Sequence, residues 1–413
     1  MGRRVVVTGM GVVSPLGNDV DSMWQALLSG KSGVSKITRF DAETFSSQIA
    51  AEVKDFDPTE FMDKREAKRT DLFVQYGMAA AQRAWEDAGL DREKPDPERI
   101  GVIVGSGIGG IDTLEKQHSI YQKKGSRRIS PYFVPMIIGN MAAGNISIAL
   151  GAKGPVSSVI SACATGTDAI GTAFRLISYG DADVAIAGGT EAAITPMGLG
   201  GFCSARALST RNEEPEKASR PFDQDRDGFV LGEGAGTVVL ETLESAQKRG
   251  AKILAEVKGY GCAGDAYHQV QPDPRGEGGA RTMSLAIKDA GWDPGEVDYI
   301  NSHGTSTEYN DRLETQAIKR VLGDQAYKAV INSSKSMLGH LMGAAGSVEF
   351  IVSVLSLLHE KVHPTINLEQ PDPECDLDYV ADGVREVQIK KALTNSLGFG
   401  GHNATLALEK WVE

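Results

Sequence analysis

Short β-branched apolar runs alternate with amphipathic stretches along the whole chain, the pattern of α/β layering. Strand-like runs lie at residues 4–9, 100–105, 156–161, 184–188 and 237–241. After a charged helical stretch at 245–249 a second series follows at 253–259, 299–302, 329–333 and 394–397, the last expected to pair with 404–409. One junction stands out. The run 156–161 reads as a short buried strand, breaks at Ala162-Cys163-Ala164, and continues as an apolar-periodic helix stopped by Gly180. That geometry places the Cys163 sulfur at the positive end of a helix, where unpaired amides and the helix dipole lower a thiol pKa. A buried, inert cysteine is the alternative, and for a lone cysteine the commoner one.

The two series read as one template used twice. Residues 100–107 align with 297–304, 157–166 with 329–340, and 184–190 with 393–401. Apolar helices at 164–178 and 341–359 follow the second pair. This divides the chain into a half at 1–250 carrying Cys163 and a half at 251–413 carrying His303, Lys335 and His340. Corresponding strand ends would then meet at a shared interface.

Composition narrows the class. At 413 residues with 41% apolar content, the chain has material for two packed halves or one large layered domain. A net charge of −12 excludes general nucleic-acid affinity. Four cysteines, at 163, 203, 262 and 375, are too sparse for a disulfide framework and favour a reducing compartment. The start, Met-Gly-Arg-Arg-Val-Val-Val-Thr-Gly, enters a strand at once, so neither signal peptide nor membrane span is expected and the cytoplasm is the expected location.

Three motifs match familiar chemistry and fail on context. The segment 105–110 fits the dinucleotide fingerprint G-x-G-x-x-G, but no second strand ending in an acid follows. The segment 223–228, Asp-Gln-Asp-Arg-Asp-Gly, imitates half of a calcium loop, yet Gly234 stands where the bidentate Glu belongs. His359-Glu-Lys-Val-His363 matches a zinc-protease pattern, but Pro364 ends the helix before His363 can share its face. No metal and no cofactor are expected.

Two histidines remain in Gly- and Ser/Thr-rich turns at strand ends: His303 in Asn-Ser-His-Gly-Thr-Ser-Thr, and His340 in Lys335-Ser-Met-Leu-Gly-His. A cysteine nucleophile with distant histidines suits acyl transfer. Together with Ser161-Ala-Cys163-Ala-Thr-Gly and Asn395-Ser-Leu-Gly-Phe399-Gly-Gly-His-Asn403, these motifs occur in the order of the β-ketoacyl-acyl-carrier-protein synthases. The chain resembles that family over essentially its whole length, most closely its elongating type II members. Leu397 departs from the Phe common in relatives.

The resemblance implies a thiolase fold, five αβαβα layers built from two similar halves, and a decarboxylating Claisen condensation in fatty-acid elongation. Cys163 would take the acyl chain. Backbone N–H groups of Cys163 and Phe399 would hold the oxyanion, and His303 and His340 the enolate. Lys335 would stand near His340 and pair with Glu349. Thr305 and Thr307 would bind the pantetheine arm or malonyl group, and Asp311 and Glu314 would form an acidic pair. Asp-x-x-Glu is equally an ordinary capping box. Ile108 and Phe133 would line the acyl pocket, Phe133 from across a homodimer interface. An acidic carrier protein would dock on Lys64, Arg65, Lys68, Arg69, Arg127, Arg128 and Arg206, basic residues whose default reading is a solvated face. A thiolase would place its second cysteine in a Gly-rich turn, unlike Cys375, and initiating synthases use Asn where His340 stands. A non-catalytic chain-length subunit would lack Cys163. A nicotinamide-dependent reductase rests on 105–110 alone, and a polyketide synthase shares every motif.

Overall fold

The computed structural model describes residues 2–92 and 95–412. Its principal strands are β1 (Val5–Val13), β2 (Ile100–Gly105), β3 (Val156–Ser157), β4 (Val184–Glu191) and β5 (Gly234–Thr242), then β6 (Ala255–Gly264), β7 (Tyr299–Asn301), β8 (Val330–Asn332), β9 (Lys391–Gly398) and β10 (His402–Lys410). They join in the order β8-β7-β9-β10-β6-β1-β5-β4-β2-β3. Each run of five has the same internal order, third-second-fourth-fifth-first. Each also repeats the same pairing: two parallel pairs, then two antiparallel ones. Among the described residues the two runs pair through β1 and β6, from Val5 opposite Val257 to Val7 opposite Ala255.

Five helices complete the layers: α1 (Leu72–Asp87), α2 (Thr165–Tyr179), α3 (Glu277–Ala290), α4 (Glu308–Leu322) and α5 (Ala345–His359). Helix α1 covers β1 and β5, α3 covers β6 and β10 with α4 beside it, and α2 and α5 pack together between the two runs. The buried apolar residues divide accordingly, around α1, around α2 with α5, and around α3 with α4. Strands covered on both faces have no polar side to show, which is why β1, β2, β4 and β5 are buried at every position. Helix α5 is apolar nearly all round because it is central. Its extension, Met342–His359, has the length and hydropathy of a membrane span but is 89% buried within the protein.

The outer helices approach the sheet by one device used twice. A Cβ on Gly9 or Gly11 of β1 would lie 2.2 Å from the Ala84 carbonyl oxygen or 2.0 Å from that of Ala80, both on α1. On β6, Gly259 and Gly261 would meet the carbonyl oxygens of Ala286 and Thr282 on α3 at 2.3 and 2.2 Å.

Two sequence expectations need correction. The run 156–161 is a strand only at Val156–Ser157, both residues exposed at the end of the sheet, and 158–161 is irregular. Periodicity cannot tell a short buried strand from an apolar edge. The second correction concerns register. Cys163 corresponds to Gly343, not to a position near Lys335. Ala162, at φ 51°, opens a 3-10 turn into α2, and Met342, at φ 48°, opens the matching turn into α5. The second half inserts the helical turn Lys335–Leu338 and the His340 turn between β8 and α5.

Candidate active site

Cys163 lies in the turn Ala162–Ala164 at the head of α2, 7% exposed. The backbone amides of Phe399 and of Cys163 itself lie near the sulfur and favour its anionic form. Gly398 allows this approach, since a Cβ there would stand 3.1 Å from the Cys163 nitrogen. His303 follows β7, where the amides of His303 and Gly304 donate to the Glu314 carboxylate of α4 at 2.8 and 2.9 Å. His340 is held by its amide on the Val230 carbonyl at 2.7 Å and by the Phe229 ring, edge-on at 5.3 Å. The sulfur and one ring nitrogen from each histidine lie within 4.8 Å of one another. The two imidazoles stand nearly perpendicular, 84° apart.

Hydrogen bonding assigns the tautomers. The Met342 amide donates to His340 Nδ1 at 3.2 Å, and the Lys335 ammonium lies 3.3 Å from His303 Nδ1. Each Nδ1 therefore accepts, and each neutral ring carries its proton on Nε2. Burial, then the Lys335 charge, hold both imidazoles well below the usual histidine range. At neutral pH the site presents two N–H donors. This donor set opposes a metal ion, which would need both Nε2 lone pairs beside an ammonium group.

Cys163 reverses the expectation from its helix. Burial pushes the thiol up to about 11, against the opposing pull of the Phe399 amide and the Lys335 charge. Desolvation of the anion outweighs these pulls. Lys335 touches His303 and Glu349, and its charge also acts on His340, near which the resemblance had set it. Burial raises the Glu349 carboxyl to about 7, with Lys335 pulling it back.

Thr305 and Thr307 share a hydroxyl–hydroxyl hydrogen bond of 2.9 Å and line the same cavity as Cys163, His303, His340, Phe399 and Arg206. Leu397 also lines it. Ile108 and Phe133 do not: Ile108 is 38% exposed, and Phe133 begins the short helix Phe133–Ile137. The capping box is not formed. Thr307 is the N-cap of α4, so Asp311 and Glu314 lie inside the helix, Asp311 accepting the Phe222 amide and Glu314 those of His303 and Gly304. Lys64, Arg65, Lys68, Arg69, Arg127, Arg128 and Arg206 are all exposed, with Arg69 stacked 4.4 Å over Tyr132.

The glycine-rich loop and the His359–His363 motif serve the fold locally. Helix Ile111–Lys124 does follow the glycine-rich loop, but the loop's anion slot is filled by the protein. Glu191 accepts from the Gly107 and Ile108 amides at 2.8 and 3.2 Å, and from Gly343 at 3.0 Å. Glu360 leaves the helix at φ 52°, and His363 is buried against Ser334. Glu191, Asn395 and Arg226 are site-ordering residues that patterning did not single out. For Glu191 the signal was present: one acid ending an otherwise uncharged, fully buried strand. Asn395 bonds Glu314 at 3.2 Å.

An amide pair over a thiol and two imidazole N–H donors serve thioester chemistry in which both a tetrahedral oxyanion and an enolate form. The protein is a condensing enzyme of thiolase-like fold. The profile of the beta-ketoacyl synthase N-terminal domain matches residues 2–246, and that of the C-terminal domain matches 254–369. The chain belongs to the beta-ketoacyl synthase family. It is 56% identical over 408 residues to 3-oxoacyl-acyl-carrier-protein synthase 2 of Coxiella burnetii, covering 99% of both chains. It is 53% identical to the enzyme of that name from Synechocystis, covering 99% of this chain and 98% of that one. Among solved structures, it matches a ketosynthase complexed with its type II PKS acyl-carrier protein at TM-score 0.92 and 37% identity, with full coverage of both chains. A beta-ketoacyl synthase from Burkholderia phymatum matches at TM-score 0.93 and 34% identity, covering 99% of this chain and 100% of that one.

Proposed function

We propose that the enzyme elongates an acyl chain held on Cys163, using malonyl-acyl-carrier protein as the carbon donor, in fatty-acid synthesis in the cytoplasm. The observation that carries this is the sulfur under two amides, faced by two Nε2–H donors. The Cys163 sulfur attacks the acyl thioester, its carbon–sulfur bond to the carrier breaks, and the thiol proton leaves with the carrier thiol. Malonyl-carrier protein then binds. Its carbon–carboxylate bond breaks, carbon dioxide departs, and the electron pair becomes an enolate held by His303 and His340. The carbanion attacks the acyl carbonyl, whose oxyanion meets the Cys163 and Phe399 amides, a pair worth ~3 kcal/mol per donor. Collapse expels the Cys163 thiolate. A thiol buried enough to sit near 11 takes up one proton and resets the site.

Residues 1–250 and 251–413 are read as the two halves of this machine. The basic residues at 64–69, 127–128 and 206 are read as the docking face for the acidic carrier. The second copy of a homodimer is read onto the edge of β3, with Ile108 and Phe133 completing the acyl pocket there. Exposed Ile148, Ile160, Val134 and Val156 favour that face: the helix Met141–Leu150 packs on β3, and Ile160 lies beside Gly139.

The test is incubation with acyl- and malonyl-carrier protein, following carbon dioxide and product mass. Cys163→Ala is expected to abolish condensation, and normal turnover by that variant overturns the assignment. Cys163→Gln is expected to retain malonyl decarboxylation, because its amide mimics the acyl-enzyme carbonyl. Decarboxylation surviving in both His303→Ala and His340→Ala would remove the enolate role. In the same assay, charge reversal at Lys68 and Arg69 is expected to raise KM for carrier-bound substrates while sparing small thioesters; an unchanged KM removes the docking face.

A further inference from the structure

In the segment 223–228 that imitates a calcium loop, Asp223, Arg226 and Gly228 are buried, and Arg226 and Gly228 reach the turn carrying Thr305 and Thr307. Asp223, fully buried, accepts from Arg220 Nε at 2.9 Å and from the amides of Asp225, Glu369 and Gln370 at 2.9, 2.9 and 2.8 Å. The loop so fixed aims Arg226 into the opposite half of the molecule. The Arg226 side chain is 3% exposed. Its Nε donates to the Thr307 carbonyl at 3.0 Å and its Nη2 to the Glu308 carbonyl at 2.9 Å. Its Nη1 binds the Asp223 carbonyl and the Asp372 carboxylate, each at 2.7 Å, and the Asp311 carboxylate lies 3.7 Å away.

Two further bonds close the grip on the same turn. The Arg220 amide donates to Ser306 Oγ at 2.9 Å, and the Gly228 amide to the Ser306 carbonyl at 3.1 Å. Ser306 has φ 68°, a conformation that costs a non-glycine residue energy and persists only when its surroundings impose it. The surroundings here are Arg220, Arg226 and Gly228. The strained residue is the one between Thr305 and Thr307, whose hydroxyls face the cavity as a bonded pair.

We propose that Arg226 is a positioning residue that fixes the Thr305–Thr307 hydroxyl pair, and so the place where the polar arm of the carrier thioester docks. This rests on the reading that those hydroxyls receive that arm. A guanidinium is required because its planar fork serves two successive carbonyls and a carboxylate at once. An ammonium is a point charge on a flexible stem and satisfies fewer of them.

The experiment measures KM and kcat for malonyl-carrier protein in Arg226→Gln, Arg226→Lys and Asp372→Asn, each alone and combined with Thr305→Val/Thr307→Val. Arg226→Gln is expected to raise KM about tenfold, with kcat close to the parent value. Arg226→Lys is expected to raise it less, and Asp372→Asn least, which keeps the test open if Arg226→Gln does not fold. In the Thr305→Val/Thr307→Val background the Arg226 substitutions are expected to add nothing, because the pair they position is gone. Additive effects in that background, an unchanged KM, or a fall in kcat alone each overturn the proposal in favour of a purely structural bridge. If Thr305→Val/Thr307→Val itself leaves KM unchanged, the docking reading fails first, and the proposal falls with it.

Discussion

Cys163 sits where two effects oppose each other. The head of α2, the Phe399 amide and the Lys335 charge favour thiolate, but burial costs the anion more, and the thiol lies near 11. Below that pKa the thiolate fraction grows about tenfold per pH unit. Iodoacetamide alkylation of Cys163, followed by mass, is therefore expected to accelerate from pH 7 to 9 without levelling. A plateau at or below pH 8 would mean that the dipole wins. The residue types of this site were legible as motifs in turns at strand ends. The sign of the thiol shift was not, because desolvation depends on what covers the sulfur, and much of that cover comes from residues far along the chain. Lys335 shows the same limit. Its motif places it five residues before His340, yet its ammonium meets His303 from another strand end.

At the scale of elements, the glycine pairs on β1 and β6 set how closely α1 and α3 lie on the sheet. Gly11→Ala or Gly261→Ala would drive a methyl into a helix carbonyl oxygen and is expected to cost about 1–3 kcal/mol in denaturant unfolding. Gly295→Ala, with open space around it, serves as the control, and equal stability of all three variants would refute the close-approach account. Strands buried on both faces were readable as continuous apolar runs, and β2 lies where the pattern put it, at Ile100–Gly105. The run at 156–161 misled because its apolar residues are displayed at an edge. The paired acids at 311 and 314 left two readings open: the cap is excluded, since α4 begins earlier, at Glu308 with Thr307 as its cap, and Glu314 instead holds the His303 and Gly304 amides.

For the whole molecule, the repeated strand order brings the head of α2 against the head of α5, and the His303 and His340 turns of the second half over the cysteine of the first. The outer edge of β3 is left open, with Ile148, Ile160 and Val134 exposed around it at 78%, 59% and 58%. Sedimentation is expected to show a dimer that Ile148→Glu combined with Ile160→Glu converts to single chains. A parent protein sedimenting as single chains would exclude that interface. The layered α/β class, the twofold series of strands and the order of the Cys163, His303 and His340 motifs were legible in the chain, because periodicity and turn chemistry are local properties. Contacts across the fold settle which Nδ1 atoms accept, that burial pushes the Cys163 thiol up, and that Arg226 reaches across to hold the turn of Thr305 and Thr307. Those outcomes depend on distances between residues remote in sequence, which no local pattern encodes.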